Sequence, residues 1–176
     1  MDALMLMNTA GSSDAVSEIS AQLTEVLTRA RVADGVVAYV QAPVAEAVAE
    51  HCSDDRVPVE EPAEASADAD ADVPAGGLGQ EEDDLALSSP VADAFDGIDD
   101  LAPGLHDLSV DRLIIGGVDE ARAVYHTAMA GLACNFDVVV LADGVIGADG
   151  QPVDWLEAAV ADGAVVSAAA QTWLRM

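Results

Sequence analysis

The sequence predicts a three-layer, doubly wound α/β domain on a mostly parallel sheet of five to six strands. Two observations carry the prediction. Short continuous apolar runs (DALMLM, VVAYV, RLII, DVVVL) recur without the period-two alternation of half-exposed strands, so each reads as a strand covered on both faces. The stretches between them place apolar residues at helical spacing, which gives each connecting helix one face to bury. Strands alternating with helices are the pattern of a parallel sheet with helices on both sides, joined by right-handed crossovers.

Element by element, Asp2–Met7 is the first strand, and Asn8-Thr9-Ala10-Gly11 is the loop that ends it. Ser12 and Ser13 are placed to cap a helix. Its apolar residues Val16, Ile19, Leu23, Val26, Leu27 and Ala30 share one face, and Gly35 is expected to end it. Val36–Val40 is the second strand and Val44–Glu50 a short helix. From Asp54 to Asp84 the chain is rich in Asp, Glu, Ala, Pro and Gly, with ASADADAD and PAGGLG inside it. Such a stretch has little to bury and reads as a partly mobile acidic insert. Asp84–Leu87 is a short third strand. Asp99–Leu108 is helical in pattern, although Pro103 and Gly104 oppose it. Arg112–Ile115 is a strand running into Gly116-Gly117. Glu120–Cys134 is a helix with Ala121, Val124, Ala128 and Leu132 on one face. A strand at Asp137–Leu141, a helix at Val153–Ala161, a strand at Ala164–Val166 and a closing helix at Ala168–Leu174 complete the order. Ligands in such folds bind at the carboxyl ends of strands, which selects the loops after Met7, Leu87 and Ile115.

A chain of 176 residues is expected to form one domain with its own core. Aromatics are only 3% against 52% apolar residues, so that core is built from small aliphatic side chains. Asp and Glu number 33 against 6 basic residues, a net charge of −27, and every basic residue is Arg. Adaptation to molar salt accounts for this balance, because the screening length there falls to roughly 3 Å and dense carboxylates no longer repel strongly. The rival reading, an acidic mimic of nucleic acid, requires a continuous acidic face. Nucleic acid and anionic membranes are excluded as partners, since a polyanion repels them. The longest apolar stretch, Val36–Ala45, is interrupted by Gln41 and Pro43 and is too short to span a bilayer. Asp2 interrupts any signal peptide at once. Two cysteines make no disulfide framework, and a cytoplasmic protein is expected.

The segment Val110–Asp143 reads VDRLIIGGVDEARAVYHTAMAGLACNFDVVVLAD. It contains a strand, a turn at Gly117-Val118, a helix bearing Thr127-Ala128, and Phe136 ahead of the next strand. In this arrangement it resembles the isochorismatase-like cysteine hydrolases, which include isochorismatases, nicotinamidases and carbamoylases. In that family the helix opens with the nucleophilic cysteine, and a glycine precedes the aromatic where this chain has Asn135. DALMLMNT is similar to the family's first strand, which normally ends in Asp-Met-Gln. Pro90–Phe95 is similar to the stretch after the family's lysine, and DGAVVSAAAQTWL to its last strand and helix. The resemblance covers most of the chain outside the acidic insert and implies the isochorismatase-like hydrolase fold.

The same resemblance implies a degenerate triad. The family's Asp falls on Asn8, its Lys on Ser89 and its Cys on Ala123. The chemistry needs a thiolate nucleophile, a carboxylate to take its proton and a cation to hold the array. Ala123 offers a methyl group, Asn8 a neutral amide and Ser89 no charge. No shift of register restores a lysine, because the chain has none. Losing one member of such a unit costs several orders of magnitude in rate. The backbone turn that would hold an oxyanion falls on Val118–Ala121, where Asp119 and Glu120 bring negative charge to a place that needs donors. Asn8, Ser89, Val118, Asp119, Ala123, Tyr125 and His126 are the expected lining of a remnant pocket. Tyr125 and His126 read more readily as packing at a helix interface than as pocket lining.

The remaining candidates have plainer readings. His51 and Cys52 are neighbours on a helix and do not face each other, so Cys52 reads as a helix-end thiol rather than half of a relocated Cys-His pair. Cys134 reads as a small buried apolar residue. His51, His106 and His126 lack metal-ligand spacing, and QAPVAEAVAEHC lacks the histidine cluster of zinc-binding relatives. Gly116-Gly117 is not followed by the GK[ST] of a phosphate loop, so no metal and no cofactor are expected. Glu81–Asp84 reads as solvated surface. The reading that results is a non-catalytic binding or assembly module. The resemblance implies that it forms a homo-oligomer, dimer or larger, or a hetero-oligomer with an active relative. Two alternatives stay open. One is a hydrolase of altered chemistry on a small amide or vinyl-ether substrate, using Asn8, Ser89, Tyr125 or His126. The other is an α/β domain unrelated to the family.

Overall fold

The computed structural model describes residues 1–10, 13–42 and 78–172. Six parallel strands form one sheet: β1 (Asp2–Met7), β2 (Val36–Gln41), β3 (Leu85–Ser88), β4 (Arg112–Asp119), β5 (Asp137–Gly147) and β6 (Val165–Ser167). Their order is β3-β2-β1-β4-β5-β6. In the centre, Met7 lies opposite both Val40 of β2 and Gly117 of β4.

The continuous apolar runs are explained by two cores, one on each face of the sheet. Leu4, Leu6, Val37, Tyr39, Ile114 and Leu141 point to one face, where they meet the apolar stripe of α1 (Asp14–Val32). Their neighbours Ala3, Met5, Met7, Val40, Leu113, Ile115 and Val138 point to the other. That face is covered by α2 (Ala94–Gly97), α3 (Leu101–Asp107), α4 (Ala123–Ala133) and α5 (Leu156–Ala161). The expected three-layer architecture is therefore observed, with six strands.

Ser13 caps α1, its Oγ accepting the Val16 N–H at 3.2 Å. The stripe read from sequence, Val16 to Ala30, is the buried face. The helix does not end at Gly35 as expected. Asp34 takes the left-handed conformation, φ 54°, and the Gly35 N–H returns to the Ala30 carbonyl oxygen at 2.9 Å. That is a Schellman ending. α3, α4 and α5 end the same way, on Ser109, Asn135 and Gly163. Each ending turns the chain from a helix into the next strand.

Several boundaries depart from the expectation. α3 tolerates Pro103 because it lies in the first turn, where a backbone N–H has no helical partner. The helix expected at Glu120–Cys134 is broken: Glu120–Arg122 is a 3-10 turn, and α4 proper begins at Ala123. β5 runs on from Leu141 to Gly147, because Val145 and Ile146 rejoin β4 after a register shift. α5 begins at Leu156 rather than Val153. The expected closing helix is a 3-10 turn at Ala169–Gln171 within the described residues.

Val44–Glu50 and residues 54–77 of the acidic insert lie outside the described residues. The end of the insert is tied down. Tyr39 donates its hydroxyl to the Leu78 carbonyl oxygen at 2.7 Å, and Arg31 donates to the Gly79 carbonyl oxygen at 2.7 Å and to Asp84 at 2.6 Å. Glu81–Asp84 is thus part ion pair rather than wholly solvated surface: Arg31 also meets Glu81 at 2.9 Å. Burial opposes the Arg31 charge, but the hydrogen bond and charge of Asp84 outweigh it and hold the guanidinium more firmly protonated.

Candidate functional site

β2 and β3 lie on one side of β1, and β4, β5 and β6 on the other, so the winding reverses between β1 and β4. The crevice outside the carboxyl ends of strands at such a reversal is where open α/β sheets bind ligands. Asn8 follows β1, Ser89 follows β3, and Val118 and Asp119 close β4 on this edge.

Asn8 is buried with φ 51°, a left-handed conformation that Asn adopts more readily than most residues. Its Oδ1 accepts the Ala42 N–H at 2.8 Å, and its Nδ2 donates to the Val118 carbonyl oxygen at 3.3 Å. The amide staples the end of β2 to the end of β4 across the reversal point. Behind it the strands leave no room for a side chain. A Cβ added to Gly117, whose φ is 132°, would lie 2.0 Å from the Met7 carbonyl oxygen.

Ser89 is turned inward on its own loop, its Oγ donating to the Val91 carbonyl oxygen at 2.6 Å. α2 sits directly against it, since a Cβ at Gly97 would fall 2.0 Å from that Oγ. Ala123 opens α4 with 0% exposure and belongs to the same apolar core as Ala94, Val124 and Trp155. Thr127 locks α2 to α4, accepting the Ala94 N–H at 3.0 Å.

Asp119 holds the arrangement at the start of α4. Its Oδ1 accepts the Val124 N–H at 2.9 Å and its Oδ2 the Trp155 indole N–H at 2.6 Å. Arg122, at the cap position, supplies no side-chain bond. Asp119 therefore caps the helix from further upstream, placing its charge at the positive end of the helix dipole. The chain folds back to allow this through two consecutive left-handed residues, Ala121 at φ 49° and Arg122 at φ 59°. Each costs roughly 1 kcal/mol or more.

The structure thus brings Asn8 and Val118 into contact, and Asp119 onto the helix that Ala123 opens. It gives Ser89 to its own loop. Tyr125 packs on Trp155 with ring centroids 5.3 Å apart, and His126 is exposed beside it, so Tyr125 is interface packing between α4 and α5. Cys134 is part-buried at the far end of α4, roughly 16 Å from Ala123 at helical rise. It is less buried than the sequence suggested. His106 is exposed and stacks on Phe136 at 4.3 Å. His51 and Cys52 lie outside the described residues. Among the described residues no three His, Cys, Asp or Glu side chains are grouped to hold a metal ion, and no helix is long and apolar enough to cross a membrane. Sequence reasoning missed Trp155. The available signal was that a chain with only two Trp places one of them beside Asp154, before a helix.

Fold and crevice together define a doubly wound, three-layer α/β protein with its ligand edge at the β1/β4 reversal. No family model and no curated protein matches the sequence. Solved structures do match. N-carbamoylsarcosine amidase from Thermoplasma acidophilum superposes with a TM-score of 0.69 at 17% identity, over 97% of this chain and 98% of that one. Pyrazinamidase of Pyrococcus horikoshii, solved with zinc, gives 0.68 at 19% identity over 95% and 98%. An isochorismatase family protein from Burkholderia thailandensis gives 0.66 at 18% over 96% and 92%. At such identities the likeness speaks for the fold. The chain has the isochorismatase-like hydrolase fold.

Proposed function

We propose that this protein is a non-hydrolytic binding or assembly module on the isochorismatase-like fold, a single cytoplasmic domain adapted to high salt. One observation carries the reading: the Val124 N–H at the head of α4 is already taken by the Asp119 carboxylate. An oxyanion formed beside Ala123 would need that donor free, and would meet a negative charge instead. The buried methyl of Ala123 and the engaged amide of Asn8 support the same conclusion. The net charge of −27 supports a salt-adapted protein that binds neither nucleic acid nor anionic membrane. The module assembles with copies of itself or with an active relative. No observation favours altered chemistry at Ser89, Tyr125 or His126.

The test is an assay of purified protein in molar salt against nicotinamide, isochorismate and N-carbamoyl substrates. No turnover above buffer is expected. Turnover abolished by Cys52→Ala or Cys134→Ala would overturn the reading.

A further inference from the structure

β3 is an edge strand, paired among the described residues with β2 alone. It is four residues long, and its Leu85 and Leu87 face a groove of about 280 Å³ whose other wall is α3. α3 contributes Leu101, Gly104 and Leu105, and Leu108 follows at its end. These four lie on one helical stripe by spacing. Leu101 and Leu105 form the groove's buried floor, while Leu85 is 37% and Leu108 48% exposed, so the apolar mouth of the groove is open to water.

Gly104 gives an independent sign that the groove is kept clear. It sits inside a helix, where glycine costs about 1 kcal/mol relative to alanine. Its conformation does not call for glycine, and a Cβ there would meet nothing within 4 Å. Neither backbone nor packing calls for the missing side chain, and its absence leaves the mouth of the groove open.

The rim states the chemistry of the occupant. Asp99 and Asp100 line the groove and are exposed. A second copy seated in this groove would bring its own carboxylates into contact with them. A basic segment would not. We infer that the β3–α3 groove docks an extended segment of a partner protein, with apolar residues alternating with Lys or Arg. The segment adds to the edge of β3 that has no partner strand among the described residues, sets its apolar side chains between Leu87 and Gly104, and turns its cations to the aspartates. The inference gives the assembly reading above a surface and rests on it for its role. The groove uses none of Asn8, Ser89, Asp119 or Ala123.

The experiment is fluorescence anisotropy of the full chain with an end-blocked, labelled peptide of alternating Leu and Lys. The controls are a Leu/Glu counterpart and a copy carrying Pro at alternate positions, which lacks the backbone donors. Saturable binding of the Leu/Lys peptide is expected, weakening as salt rises. Gly104→Trp fills the groove without changing charge and should weaken it by at least about tenfold. Leu108→Asp, at an exposed position, should do the same, with thermal melts confirming that both variants fold. Equal binding by Gly104→Trp, equal binding of the proline peptide, or no binding at any salt would overturn the inference. So would concentration-dependent dimerisation that Gly104→Trp abolishes, because it would assign the groove to a second copy. Hydrolytic turnover with peptide binding intact would instead sink the non-hydrolytic reading alone.

Discussion

At Asn8 one donor and one acceptor are both required. The Ala42 N–H needs an acceptor and the Val118 carbonyl needs a donor, and the amide supplies both where an ionised carboxylate only accepts. Restoring the family's carboxylate is therefore not a neutral reversion. Asn8→Asp would set a buried anion against a carbonyl oxygen, at a cost of about 2–3 kcal/mol near neutral pH. Burial without a cation raises the pKa of such a carboxyl. Because its folded value lies above its unfolded value near 4, the variant's deficit is smallest at acid pH, where the protonated carboxyl can donate to Val118. It grows as pH rises through the folded pKa. Urea titrations of both proteins across pH measure this, and a deficit independent of pH would contradict the hydrogen-bond assignment. Tyr39 carries a native example with its own window. Burial, reinforced by Asp84, pushes its hydroxyl up to about 12. The folded state thus holds the phenolic proton more tightly than the unfolded state does. The stabilisation is complete below about pH 10 and is lost as pH climbs toward the raised value. Tyr39→Phe is expected to flatten the alkaline limb of the stability curve, read by thermal melts between those limits.

Among the elements, the turn from β4 into α4 holds the most strain. Ala121 and Arg122 occupy left-handed space without being glycine, and the Asp119 cap is what their conformation secures. Ala121→Gly removes a steric cost of roughly 1–2 kcal/mol and adds an unfolded-state entropy cost of about 0.4–1 kcal/mol. A small net gain in stability is expected by urea titration, and a loss would mean that the turn is not strained. This turn also marks the limit of what the sequence discloses. β1, β2, β4 and β5 were legible as apolar runs because both faces are buried, the half-exposed β3 and β6 only as short apolar stretches in the right order, and α1 was legible because its stripe is regular. Asn135 stood out in the sequence only as a replacement for the family's glycine; its φ of 68° is one that Asn tolerates at a helix end. Ala121 and Arg122 gave no such sign, since neither residue type favours left-handed backbone. The Asp119 carboxylate reaches Val124 along the chain and Trp155 across it, and pattern alone does not show a bond between such distant positions. The late stretch of β5 was hidden because Ala142-Asp143-Gly144 interrupts the apolar run before Val145 resumes it.

Over the whole molecule, the arginines among the described residues are committed to structural tasks. Arg112 pairs with the buried Asp2 and fastens β4 to β1 at their starts. Arg29 donates to the carbonyl oxygens of Ala169 and Thr172, holding the last described turn against α1. Arg31 clasps Glu81 and Asp84, and Arg122 reaches Asp154 at 3.4 Å on the surface. Little positive charge is left to offset the surface carboxylates, so self-repulsion opposes the compact state at low ionic strength. The melting temperature is expected to rise steeply from dilute buffer to molar potassium chloride, where the screening length is only roughly 3 Å. A flat response would refute salt adaptation.

The clasp on residues 78–84 has a consequence for how this chain tolerates change. Arg31 and Tyr39 grip the polypeptide as it returns, and Asn8 holds it at Ala42 as it departs. Residues 42 and 78 are thereby each fastened to the body through their own hydrogen bonds. The pairing of β2 with β3 is therefore expected to survive a change of sequence between those two anchors, which hydrogen exchange of the β2 and β3 amides would read.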